Sequence, residues 1–239
     1  MTHSEWHRVE RRCGRRPAAR ACLALLALLV SSPAAWAAAP IERVELPNGI
    51  RLLVAERRSL PVVAVEVLVD AGSRYEPADK VGLANLTADL LTRGAGGRTG
   101  PEIDEAIDFV GAGLSSGASG DSASVSLRVL RKDLDLGLDL VADVLLRPTF
   151  PDAELARKRT EILGAIQKKK DEPGAVAGEA FAEIVFGPHP YGRPVIGKEA
   201  TVPGITRADI QGFHARWYRP EGTIVTVAGD LSMAEAFFV

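Results

Sequence analysis

The chain has 239 residues, 29 basic and 31 acidic side chains, and a formal charge of −2. That balance leaves no basic stripe of the kind nucleic acids require, which argues against a nucleic-acid partner. Both cysteines, Cys13 and Cys22, fall near the N-terminus, so the remainder has no disulfide and no thiolate for metal or catalysis.

Arg8, Arg11, Arg12, Arg15, Arg16 and Arg20 precede an apolar run from Cys22 to Val30. Ser31-Ser32-Pro33 break that run, and Ala35-Trp36-Ala37 supplies small residues for cleavage. These three parts predict a secretory signal over residues 1–37, cut after Ala37. The run is too short for the roughly 20 residues of a membrane span, so no stable membrane insertion is expected. Arg20 stands where a lipoprotein signal needs a small or apolar residue. Cleavage would remove six Arg with Glu5 and Glu10, leaving 23 basic and 29 acidic residues and a net charge of −6. The expected location is periplasmic or secreted, with residues 38–239 forming a single domain.

Ile41 to Leu46 alternates apolar and polar residues, meets the turn Pro47-Asn48-Gly49, and continues into Ile50 to Val54 as a hairpin. Val62 to Val69 is β-branched and apolar enough on both faces for a central strand. Gly82 to Leu91 reads as a helix ending at Gly94, and the cluster Gly94-Ala-Gly-Gly97 as a C-cap and turn. Thr99 and Glu102 form a capping box around Pro101, with Ile103, Ala106, Ile107 and Val110 on one face. Ser122 to Leu127 is a strand, and Lys132 to Leu146 an amphipathic helix.

A further helix starts near Pro151 and runs to about Lys170. Lys168-Lys169-Lys170 suit its C-terminal dipole end. Gly174 to Phe186 is helical, Gly187 to Gly197 a loop, and Thr206 with Asp209 caps a helix carrying Ile210, Phe213 and Trp217. Thr223 to Val227 is the last strand, and a new helix begins at Met233. Strands in hairpins and helices in pairs predict an α+β fold: a mainly antiparallel sheet with helices packed on one side. The apolar end Phe237-Phe238-Val239 falls inside an element, so the domain reads as truncated before a C-terminal half.

Several stretches, in this order, resemble the N-terminal half of the insulinase/pitrilysin-type (inverted-zincin) metallopeptidases. They are Leu46-Pro-Asn-Gly-Ile-Arg-Leu-Leu, Ala71-Gly-Ser-Arg-Tyr-Glu-Pro77, Gly82-Leu-Ala, Leu146-Arg-Pro-Thr-Phe-Pro151, His189-Pro-Tyr-Gly192, and Tyr218-Arg-Pro220 leading to Val227-Ala-Gly-Asp230. The family's chemistry rests on H-x-x-E-H: two imidazoles at i and i+4 bind zinc, and the Glu between them activates water. A downstream helix supplies a further acidic ligand.

The resemblance puts Asn85-Leu86-Thr87-Ala88-Asp89 in that slot. Asn85 replaces the first His, Ala88 the base and Asp89 the second His. The distal acid falls near Glu161 to Ile166, where Gly164 and Ala165 stand. No catalytic residue and no metal ligand are therefore expected, although active relatives use zinc. Outside the leader the histidines are His189, in a structural loop, and His214, in a packed or surface-edge position. Asp89 with Asn85 and Thr87 sketches an oxygen site for a hard cation, but with too few ligands.

The resemblance implies an inactive homologue that binds extended peptide and partners an active insulinase-family subunit or homologous half. Its candidate peptide-contacting strand spans Leu114 to Ser124, with Leu114, Ser116 and Ala118 on it. Gly113, Gly117 and Gly120 would let a ligand backbone approach, or would equally suit a bulge or turn. The other readings are an active zinc metalloendopeptidase with an atypical ligand set, and a peptide-binding scaffold or gene fragment.

Overall fold

The computed structural model describes residues 41–236. The expected leader and the apolar end at Phe237 to Val239 lie outside the described residues. The main sheet has six strands in the order β1-β2-β8-β3-β7-β6. They are β1 (Ile41–Glu45), β2 (Arg51–Glu56), β3 (Val62–Val69), β6 (Gly113–Ala118), β7 (Ala123–Leu130) and β8 (Ile224–Gly229). All neighbours are antiparallel except β2 and β8, which run parallel. The helices are α1 (Leu83–Leu90), α2 (Gly100–Phe109), α3 (Leu134–Leu146), α4 (Asp152–Lys169), α5 (Pro173–Phe186), α6 (Arg207–Trp217) and the short α7 (Met233–Ala236).

Period-two patterning sorts the sheet into two faces. In β3, Val63, Val65, Val67 and Val69 are buried, and in β7 Ala123, Val125, Leu127 and Val129. Register places Val65 beside Leu127 and Val227, and Val54 beside Val227, so one apolar face crosses four strands. Each fully buried Val or Leu there contributes roughly 1.5–3 kcal/mol. The opposite face is more polar, with the Ser126 hydroxyl donating to Glu66. The mainly antiparallel α+β fold, helices on one side, is the fold that is observed.

The hairpin turn forms as its chemistry dictates. Gly49 has φ 87°, and the Ile50 amide donates to Asn48 Oδ1 at 3.2 Å. Both capping boxes are present, Thr99 with Glu102 and Thr206 with Asp209. The Asp209 carboxyl is held down to about 2, chiefly by hydrogen bonds with the Thr206 amide and hydroxyl.

Two features differ from the sequence expectation. The glycine cluster after α1 builds a small hairpin, β4 (Gly94–Ala95) with β5 (Arg98–Thr99), turned by Gly96 and Gly97 at φ 59° and 86°. The stretch from Leu114 to Ser124 is no continuous strand. It is β6, a turn, and the start of β7, because Ser119 ties the chain back. The Ser119 carbonyl accepts from the Ser73 amide at 3.0 Å. Ser119 also closes the turn itself, its amide donating to the Ser122 carbonyl at 2.7 Å.

Candidate functional site

The segment entering α1 is fixed by one buried acid. Glu76 is 4% exposed, and its two carboxylate oxygens accept from the amides of Gly82 and Ala84, each at 3.1 Å. These are first-turn donors that no helical carbonyl can satisfy. Burial pushes the Glu76 carboxyl up to about 7, against the pull of those amides. Gly82, the N-cap, has φ 101°, and a Cβ there would lie 2.8 Å from the Gly197 Cα. The start of α1 therefore sits directly on the loop that follows α5.

Six of the eight α1 residues are buried: Leu83, Ala84, Leu86, Thr87, Ala88 and Leu90. The two that are not are Asn85 and Asp89, which share a helix face at i and i+4. That face meets a stripe of α4. Asn85, Asp89, Lys158, Glu161, Ile162, Ala165, Val195 and Ile196 line one pocket of about 440 Å³. Positions 158, 161, 162 and 165 fall on one side of α4 by helical periodicity.

Within the pocket, Asn85 Nδ2 lies 3.5 Å from Asp89 Oδ2. Lys158 Nζ lies 3.0 Å from Glu161 Oε2. Burial pushes the Asp89 carboxyl up, Lys158 draws it down, and Glu161 opposes Lys158. The hydroxyl of Tyr218 is buried without a hydrogen-bond partner among the described residues. Burial, with a smaller push from Asp89, raises that phenol.

The structure thus brings Asn85, Asp89 and Ala165 together, while Ala88 faces elsewhere. Its carbonyl accepts from Ser116 Oγ at 2.7 Å, so β6 is pinned to α1 one residue from the pocket wall. Thr87 is turned away from Asn85 and Asp89: its hydroxyl is buried and donates to the Leu83 carbonyl at 2.8 Å, which removes it from any oxygen site with them. His189 accepts from the Tyr191 amide at 3.2 Å and begins a 3-10 turn. His214 sits on α6 with Nε2 2.9 Å from the Leu145 carbonyl and its ring stacked on Tyr218, and burial lowers its pKa. Neither imidazole lines the α1–α4 pocket.

β6 lies at the edge of the sheet, with β7 on one side and no paired strand on the other among the described residues. Leu114, Ser116 and Ala118 are half-buried, and a Cβ at Gly113 or Gly117 would meet nothing within 4 Å. Gly120 is different: it lies in the turn, under the Tyr191 ring. Asp121 accepts from the Tyr191 hydroxyl at 2.6 Å and from Arg74 at 3.0 Å, which holds that turn to the loop after α5 and to the 73–75 turn before α1.

Zinc needs imidazole, thiolate or carboxylate donors. The pocket offers a neutral carboxamide, two carboxylates and an alanine, with an ammonium already paired to one carboxylate. This set does not fit a zinc ion. Sequence reasoning identified Asn85, Asp89 and Ala165, but missed Lys158 and Glu76. The signal for Lys158 was its place two turns before Ala165 on the same helix; for Glu76 it was an acid six residues before an N-cap glycine.

The site is thus a six-stranded sheet carrying an eight-residue helix, α1, whose i, i+4 pair is turned toward α4. Residues 51–199 match the family described as Insulinase (Peptidase family M16), and the chain belongs to that family. It is 37% identical over 195 residues to an uncharacterized zinc protease of Mycobacterium leprae, covering 81% of this chain and 43% of that protein. It is 29% identical to a probable mitochondrial-processing peptidase subunit beta of Arabidopsis thaliana, covering 82% of this chain and 37% of that protein. Among solved structures, a peptidase M16 inactive domain from Pseudomonas fluorescens matches with TM-score 0.79 and 31% identity, over 82% of this chain and 48% of that one. The chain spans less than half the length of the curated relatives cited here. Among the described residues no helix is long and apolar enough to cross a membrane.

Proposed function

We propose that this chain is a non-catalytic insulinase-family protein of the cell envelope, exported by its leader, that binds extended peptide beside an active homologue. The observation that carries this reading is the α1–α4 pocket, where Asn85 and Asp89 stand at i and i+4 opposite Ala165 and Lys158. In this reading Asn85 and Asp89 occupy the slots of the family's two histidines, Ala165 that of its distal acid, and Ala88 that of its base. An alanine methyl cannot accept a proton, so the position of the family's base cannot activate water here. The inactive domain from Pseudomonas fluorescens is a precedent in the family, and the Arabidopsis relative is named as a subunit.

What remains without metal is the unpaired edge of β6. Backbone groups along an open edge accept a peptide as an added strand, with little demand on its side chains. Ser116 fixes that edge to α1, so a bound peptide would run past the former reaction site. The test is fluorescence anisotropy with an unstructured, labelled peptide. Methylating alternate backbone nitrogens of the peptide should weaken binding at least tenfold, while exchanging side chains should change it little. Equal binding of the methylated and unmethylated peptides would overturn the edge-strand role. Copurification of an intact insulinase-family subunit supports the partner role, and its consistent absence favours a stand-alone scaffold.

A further inference from the structure

The α1–α4 pocket holds a charge that the loss of ligands does not by itself explain. Two carboxylates, Asp89 and Glu161, line it together with one ammonium, Lys158. Lys158 is not a freely solvated surface lysine. Its side chain is 23% exposed against 45% for Glu161, it lies 3.0 Å from Glu161 Oε2, and it belongs to the stripe of α4 that faces α1. Of the charges acting on Asp89, Lys158 is the largest. Arg157 also pairs with Glu161 and Arg93 also acts on Asp89, but neither guanidinium lines the pocket, so the Lys158 ammonium, on its flexible stem, is the cation among its walls.

We infer that Lys158 is the resident cation of this pocket, and that its ammonium excludes a divalent metal ion from Asn85, Asp89 and Glu161. The inference rests on the non-catalytic reading above and adds a cause to it. A divalent ion placed among these side chains would be a second cation beside Lys158, in a cleft with less screening than water. Metal binding is then blocked twice, by missing ligands and by a fixed positive charge. Restoring ligands alone would not restore the metal.

The experiment compares two variants of the full chain by titration with Co²⁺, whose d–d absorption reports inner-sphere binding, and with Zn²⁺ by competition. One carries Asn85→His, Asp89→His and Ala165→Glu with Lys158 kept; the other adds Lys158→Met. The second should bind at least tenfold tighter, equivalent to about 1.4 kcal/mol, and Lys158→Arg in its place should behave like lysine. Equal affinities in the Lys and Met forms would overturn the inference. Circular dichroism checks that each variant is folded. If the histidine variants do not fold, Ala165→Glu combined with Lys158→Met or with Lys158→Arg is titrated with Mn²⁺, a hard cation for which the added carboxylate joins those of Asp89 and Glu161. Binding gained only by the Met form supports the inference, and identical titrations refute it. Stoichiometric zinc and peptide cleavage by the unmodified chain would instead refute the non-catalytic reading itself, so the two failures are distinguishable.

Discussion

Glu76→Ala is expected to lower the unfolding free energy by about 2–4 kcal/mol at pH 5, read by denaturant unfolding with circular dichroism. The loss follows from stranding two buried amides, those of Gly82 and Ala84, whose acceptors are the Glu76 oxygens. Because α1 carries Asn85, Ala88 and Asp89, the same change should loosen the pocket. The residue also makes stability depend on pH. Its carboxyl is raised from 4.5 to about 7 in the folded chain, so the folded state holds the proton more tightly than the unfolded one. The contribution is complete below pH 4.5 and is lost as pH rises through 7, by about 3 kcal/mol in all. Glu76→Gln has no proton to lose and should remove that slope. A slope unchanged in the Gln variant would show that Glu76 does not titrate in this window.

Gly82→Ala should cost about 2–5 kcal/mol. At φ 101° an alanine is strained, and its Cβ would stand 2.8 Å from the Gly197 Cα. The neighbour is backbone and cannot swing aside. Gly197 is itself at φ 104°, so both sides of the contact are fixed. Gly164→Ala is the control: it lies on an exposed turn of α4 with nothing within 4 Å of an added Cβ, and should be neutral or stabilising by up to about 1 kcal/mol. Equal melting behaviour of the two alanine variants would contradict the close-packed junction between α1 and the 192–199 loop.

Much of this fold was legible because its signals are local. The Asn48-Gly49 turn, the Thr99–Glu102 and Thr206–Asp209 boxes, and the β-branched run of β3 each depend on residues within a few positions of one another. The insertion of β8 between β2 and β3 was not legible. It joins residues such as Val54 and Val227, far apart in sequence, and periodicity carries no information on which strands pair. The stretch from Leu114 to Ser124 read as one strand because serine and glycine are neutral in pattern, and the turn is set by Ser119 and Ser122 only once they fold back.

The site divides in the same way. Asn85, Asp89 and Ala165 follow from the family resemblance, and the i, i+4 spacing of the first two adds that they share a helix face. Lys158 becomes visible only when α4 is laid against α1, since a lysine beside a glutamate on a helix reads as an ordinary solvated pair. Glu76 was hidden for the opposite reason. It caps from six residues upstream, outside the usual box, and its burial is set by tertiary packing.

The most direct test of the account is metal content and peptidase activity of the purified chain, measured together by elemental analysis and by mass spectrometry of an unstructured peptide. The expected result is zinc far below one ion per polypeptide after dialysis and an intact peptide, with or without added Zn²⁺. One retained zinc per chain, with cleavage abolished by a chelator and restored by the metal, would contradict it.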